Sequence, residues 1–126
     1  MSTKELIDTI AECAKEVRKS LTPGFEEKVY KNAMFIELRD KGLEVETEVP
    51  CQVYYKSHIV GDYRADMIVN RQVIVELKAT NALVPLNEVQ LVNYLTATGI
   101  DDGMLINFGS ERIEIRHRTR IYKIKP

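Results

Sequence analysis

The stretch Arg64-Ala65-Asp66-Met67-Ile68-Val69-Asn70-Arg71-Gln72-Val73-Ile74-Val75-Glu76-Leu77-Lys78 decides the fold. Two apolar runs flank Asn70-Arg71-Gln72, and three-residue loops commonly close β-hairpins. Such a loop pairs 69 with 73, 67 with 75 and 65 with 77 on one face. It pairs 68 with 74 and 66 with 76 on the other. The first face is then Ala, Met and Val against Val, Val and Leu, which is pure core. The second sets Asp66 directly opposite Glu76, with Lys78 one step along. A two-residue loop would slip the register by one and send the acids to opposite faces. The apolar pattern therefore selects the register that brings two carboxylates together.

Opposed carboxylates repel, and each is costly to bury unpaired. Lys78 can offset one of them. A hard divalent cation such as Mg²⁺ would satisfy the other through carboxylates, a backbone carbonyl and retained waters. The competing reading is a surface Asp–Lys–Glu network without metal.

Working toward the N-terminus, Leu43, Val45, Thr47 and Val49 alternate with Glu44, Glu46 and Glu48, so a strand with a glutamate-rich solvent face is predicted. Pro50 is expected to close it. Residues 52–56, 59–63, 64–69 and 73–79 read as further strands, with a turn near Ser57-His58. Residues 3–20 place Leu6, Ile10, Cys13, Ala14 and Val17 at helical spacing. Thr22-Pro23-Gly24 reads as break and restart, with Thr22 as cap and Pro23 at the first helical position. A second helix is predicted over 24–41, with Val29, Ala33, Ile36 and Leu38 among its core residues and Gly42 as its stop.

Toward the C-terminus, residues 87–98 read as a helix capped by Asn87 and ended by Gly99. Strands are expected at about 103–108 and 111–124. In the last strand Arg112, Glu114, Arg116, Arg118 and Arg120 share one parity. That basic stripe suits either a phosphate backbone or a solvated face balancing the glutamates of 43–49. His117 falls on the apolar parity and reads as a core histidine, and His58 as exposed.

The chain has 126 residues and a formal net charge of −1. That fits one α/β domain over 1–126, a mixed sheet flanked by helices. It does not suit a strongly basic nucleic-acid coat. Cys13 and Cys51 lack partners at zinc spacing and read as buried thiols. With no apolar signal core and no run long enough to span a bilayer, a cytoplasmic protein without membrane contact is expected.

Asp66, nine intervening residues and then Glu76-Leu77-Lys78 resemble the D…(D/E)-x-K signature of the PD-(D/E)XK nuclease superfamily, with Ala65 in place of the usual Pro. Gly24-Phe25-Glu26-Glu27-Lys28-Val29-Tyr30 is similar to the G-x-x-E-x-x-Y motif of a family of small prokaryotic proteins within it. Gln90-Leu91-Val92-Asn93-Tyr94 is similar to the Q-x-x-x-Y motif of the RecB-like branch. Ile106-Asn107-Phe108-Gly109 looks like the end region of the small family and is read as strand and turn.

The resemblance implies a restriction-endonuclease-like core and Mg²⁺- or Mn²⁺-dependent hydrolysis of phosphodiesters in nucleic acid. It implies Glu27, Asp66, Glu76 and the Leu77 carbonyl as metal ligands, and Asp66, Glu76 and Lys78 as catalytic residues. Tyr30, Gln90 and Tyr94 are left as supporting or substrate-contact residues. The competing function is a catalytically silent module on the same fold, binding nucleic acid or protein. So small a domain has little surface for choosing substrates, which points to a homodimer or a partner protein.

Overall fold

The computed structural model describes residues 1–120. Helices α1 (Thr3–Ser20) and α2 (Glu27–Asp40) lead into strands β1 (Val45–Tyr55), β2 (His58–Val69) and β3 (Val73–Lys78). Then follow α3 (Pro85–Thr98), β4 (Asp102–Asn107) and β5 (Glu114–Thr119). The strands lie in sequence order in one five-stranded mixed sheet. Among the described residues only β3 and β4 are parallel, joined by α3 as the crossover. This is the α/β architecture expected.

α1 buries Leu6, Ile10, Cys13, Ala14 and Val17, the stripe read from its periodicity. A Ser2/Glu5 capping box starts it. In α2 the buried stripe is Tyr30, Met34 and Leu38, whereas Ile36 is exposed. Both helices cover the sheet face carrying Met67, Val69, Val73, Val75, Leu77, Met104 and Ile106. Leu91 and Leu95 of α3 cover the opposite face, against Ala65, Ile68, Ile74 and Leu105. A Cβ on Gly103 would lie 2.8 Å from Leu91, so this glycine lets α3 sit close on β4. Cys13 and Cys51 are free and buried. Among the described residues no helix is long and apolar enough to cross a membrane.

Four readings are corrected. Pro50 does not end a strand: β1 runs through it, paired Pro50 with Arg64, because on an edge strand the missing N–H can face away from the neighbour. The predicted short strands are thus two long ones, joined by a turn in which Lys56 and Ser57 have positive φ. Second, α2 begins at Glu27 with Glu26 as its N-cap, not at Pro23. Gly24 at φ 120° turns the chain before it, and Thr22 serves as a carbonyl acceptor. Third, α3 starts at Pro85, and Asn87 caps from inside by accepting the Val84 N–H. Fourth, His117 is exposed and pairs with Asp102 at 2.9 Å. β5 is the other edge of the sheet, so apolar parity there does not mean burial. The predicted 121–124 part of this strand lies outside the described residues.

Gly109 is the tightest position. A Cβ there would stand 2.5 Å from the backbone of Ala79 and Thr80. Gly109→Ala is therefore expected to cost about 3 kcal/mol, lowering Tm by roughly 10 °C in a thermal melt.

Candidate active site

The hairpin register is the one the loop length predicted: Val69 opposite Val73, Ile68 opposite Ile74, Met67 opposite Val75. Ladder pairing stops there. β3 continues beside β4 as far as Lys78 and Asn107, while β2 parts from β3 at Asp66. The two acids bridge the parting strands. Asp66 Oδ2 accepts the Leu77 N–H at 2.8 Å, and Glu76 Oε2 accepts the Asp66 N–H at 3.2 Å. Each carboxylate thus holds the backbone beside the other.

The parting coincides with a twist. Glu48, the β1 position facing Asp66, has φ 52° and is skipped in the β1–β2 register, which shifts once more, farther out, between Val53 and Tyr54. On one side of it Val45 and Met67 face α1 and α2. Beyond it Val49, Cys51, Tyr63 and Ala65 face α3. Both strands change face at this point. Ala65 therefore does not share the face of Leu77, as uninterrupted alternation predicted. Asp66 stands at the crossing, open to residues from both layers.

From one layer comes the start of α2. Glu27 is its first residue. Lys31, one turn on, contacts Glu48 and lies 3.9 Å from Asp66 with a mostly buried side chain. The helix start is held by Tyr30. This ring is fully buried and stacked on Phe108 at 4.9 Å. Its hydroxyl donates to the Thr22 carbonyl at 2.6 Å and accepts the Phe25 N–H at 3.2 Å. The structure thus places Tyr30 behind the site, fixing the loop that presents Glu27.

From the other layer comes Tyr94, stacked on Tyr63 with ring centroids 3.6 Å apart. Both phenols are pushed up, first by burial, with the Glu76 charge adding to it. The Tyr63 hydroxyl is buried without a hydrogen-bond partner among the described residues. Its polar neighbour is the Cys51 thiol, which donates to the Val49 carbonyl. Gln90 is exposed on α3, and no side-chain hydrogen bond ties it to Lys78 or the acids among the described residues.

Asn107 clasps the end of β3. Its Oδ1 accepts from the Thr80 N–H at 3.0 Å and the Gly109 N–H at 3.1 Å. Its Nδ2 donates to the Thr80 carbonyl at 3.0 Å and to Glu114 at 2.8 Å. The Ile106–Gly109 segment so anchors Lys78 through Asn107 and Glu27 through Phe108.

The electrostatics record crowded negative charge. The Glu76 carboxyl is pushed up to about 8, first by burial and then by the Asp66 charge. The Asp66 N–H and Lys78 act the other way. Glu27 is also raised, by burial and then by Asp66, against Lys78 and Lys31. Glu27, Asp66, Glu76 and Lys78 therefore act on one another electrically. Among the described residues no three His, Cys, Asp or Glu side chains stand ready-placed to hold an ion. The donor chemistry fits a hard cation nonetheless. Asp66 and Glu76 each commit only one oxygen to backbone, and Glu27 lies within electrostatic reach of both.

The arginines of β5 face acids close at hand. Arg116 lies 3.6 Å from Glu114, and Arg118 contacts Glu88 of α3. Their partners are thus not the glutamates of 43–49.

Sequence reading missed Lys31, Glu48 and Tyr63. Lys31 carried a signal, being four residues after Glu27 on one helical face. Glu48 and Tyr63 could be placed only through the β1–β2 register. Lys31→Met leaves Asp66 and Glu48 without their shared cation and is expected to cost about 1 kcal/mol. A urea melt would show this as a lower midpoint at unchanged slope, and Lys31→Arg should recover most of it.

A sequence profile of the PD-(D/E)XK nuclease superfamily matches residues 4–119. No curated protein matches the chain. Among solved structures, the crystal structure of SSO0001 is similar in fold, with TM-score 0.59 and 20% identity over 74% of this chain and 49% of that one. The chain spans about half the length of that protein. The profile covers nearly all the described residues, and the mixed sheet with paired acids at its parting strands agrees with it. The chain belongs to the PD-(D/E)XK nuclease superfamily.

Proposed function

We propose that the protein is a nuclease that hydrolyses phosphodiester bonds of nucleic acid with Mg²⁺ or Mn²⁺, within the small-protein branch marked by Gly24, Glu27 and Tyr30. The observation that carries this reading is the mutual placement of Asp66 and Glu76 where β2 leaves β3, with Glu27 and Lys78 coupled to both. The proton affinity of both Glu27 and Glu76 is raised by burial and by the Asp66 charge, which a bound cation would relieve.

Asp66, Glu76, Glu27 and the Leu77 carbonyl are the residues that would hold the cation. When bound, it would lower the pKa of water and stabilise charge on phosphate oxygens. The chain's own contributions follow from the geometry. The Leu77 N–H orients the Asp66 carboxylate, and the Asp66 N–H orients that of Glu76. Lys78 would offset negative charge developing on the phosphate. The Tyr63–Tyr94 stack lies within electrostatic reach of Glu76. Gln90, exposed on the same helix, is a substrate-contact candidate.

The test is a cleavage assay on single- and double-stranded DNA and RNA with Mg²⁺ and Mn²⁺, with Lys78→Ala run beside the wild type. Metal-dependent cutting lost in Lys78→Ala supports the proposal. Cutting that survives points to a contaminant or another site. A second reading, a silent binding module, is favoured by Asp66 and Glu76 already finding backbone donors without a cation. It predicts nucleic-acid or protein binding without cleavage in every metal condition.

A further inference from the structure

The far half of the β1–β2 hairpin projects beyond the helical layers. Both its faces are open to solvent: Val53, Tyr54, Tyr55, Ile59 and Val60 are all exposed, the tyrosines at 59% and 63%. β1 is also an edge strand. Edge strands are normally guarded by charge or proline. The first half of β1 has both, in Glu46, Glu48 and Pro50. Cys51-Gln52-Val53-Tyr54-Tyr55 has neither.

We propose that this segment joins two copies of the chain, edge to edge, about a two-fold axis at Val53. The geometry specifies the pairing. Pro50 has no N–H, yet β1 stays paired with β2 at Pro50–Arg64, so the even residues of β1 present their backbone outward; the register shift at Val53/Tyr54 leaves Val60 of β2 unpaired and adds no residue to β1, so this parity carries on to Tyr54. Tyr55, closing the two-residue turn opposite His58, points its backbone inward, which agrees. In a two-fold arrangement Gln52 of each copy exchanges backbone hydrogen bonds with Tyr54 of the other. Val53 meets Val53, and Cys51 meets Tyr55. No like charges oppose. Lys56 of one copy comes beside Pro50 of the other, two residues from its Glu48, so a basic group approaches an acid. Pro50 at one end and the Lys56-Ser57 turn at the other limit the union to five residues.

The area is sufficient for a weak dimer. The apolar side chains and the backbone edge together offer roughly 500 Å² per copy, near the lower limit of specific interfaces. β-branched Val53, Ile59 and Val60 beside tyrosines favour a protein surface over a base-stacking platform, which would need aromatic rings throughout. Closed two-fold pairing is the commonest form of self-association. The proposal is independent of the chemistry at Asp66.

Sedimentation velocity on the full chain tests it. A monomer–dimer equilibrium is expected, with dimer dominant at about 100 μM, and Val53→Arg should weaken it at least about 100-fold by opposing two cations at the axis. Cysteine placement checks the register. Directly opposed residues of a non-hydrogen-bonded pair stand about 4.5 Å apart at Cα, within disulfide reach. In a background carrying Cys13→Ala and Cys51→Ala, Val53→Cys should cross-link on mild oxidation and Gln52→Cys should not. A monomer at all concentrations, or a dimer indifferent to Val53→Arg, overturns the proposal. So does equal cross-linking at both positions, or a monomer whose Tyr54→Ala variant loses binding to single-stranded nucleic acid.

Discussion

Asp66→Ala is expected to reduce metal-dependent cleavage by at least about 1,000-fold, corresponding to about 4 kcal/mol of transition-state stabilisation. The same substitution should abolish any rise in Tm that Mn²⁺ produces in the wild type. Both effects have one cause. Asp66 stands where both strands of the β1–β2 hairpin change face, and its carboxylate meets the Leu77 N–H on β3 and lies 3.9 Å from Lys31 of α2. One of its oxygens positions the backbone of Leu77, next to Glu76 and Lys78. Removing the carboxylate takes away a ligand and frees the segment carrying the others. Ligand-linked stabilisation grows with the ratio of metal to its dissociation constant, so a melt with and without millimolar Mn²⁺ reads the site without a substrate. Asp66→Asn separates the two contributions: it can still accept the Leu77 N–H but lacks the charge. It should retain most of the metal-free Tm and lose the Mn²⁺ response. If Asp66→Ala still melts later with Mn²⁺, the cation binds elsewhere and the proposed chemistry fails.

Glu76→Gln should lose cleavage yet make the metal-free protein more stable at alkaline pH. The Glu76 carboxyl is raised to about 8 in the folded chain, by burial first and the Asp66 charge second, from an ordinary value of 4.5. Between those values the folded state holds the proton more tightly than the unfolded state. Stability contributed by this group is therefore full below pH 4.5 and falls as pH rises toward 8. Each tenfold difference in proton affinity between the two states corresponds to about 1.4 kcal/mol. With allowance for local relaxation, the loss should reach roughly 2 kcal/mol or more. Glutamine keeps the shape and the acceptor for the Asp66 N–H without the ionisation. The two proteins should melt alike near pH 5, with the variant several degrees higher near pH 8 in chelator. Saturating Mg²⁺ should close that gap by stabilising the ionised wild type. Parallel pH profiles for the two proteins would contradict the burial and repulsion described at Glu76.

The pattern of residues 64–78 was enough to determine the hairpin, its three-residue loop and its register from Val69–Val73 to Met67–Val75, whereas β2 leaves β3 before Asp66 could pair with Glu76 in the ladder. Apolar alternation leaves only one register that buries both strands, so this pairing is a local property of the chain. Periodicity likewise determined α1 to the residue, because five apolar side chains at helical spacing have only one face to bury. The start of α2 was not legible. Pro23 is a good first helical residue, but the buried Tyr30 hydroxyl takes the Thr22 carbonyl and holds 22–25 as a loop. Pro50 was misread for a similar reason, since its cost depends on whether a neighbour lies on its N–H side.

The tertiary structure alone decided what surrounds the acids. Glu48 looked like one of several solvent-facing glutamates until pairing of β1 with β2 set it against Asp66. Lys31, Tyr63 and Tyr94 reach this place from positions far apart in the chain, carried by helix packing and by the change of face at Glu48. A kink in two paired strands depends on contacts to both layers, and no period in the sequence records it. Local periodicity wrote the hairpin that carries Asp66 and Glu76; long-range packing parted its strands there and chose the cations and aromatic walls around the acids.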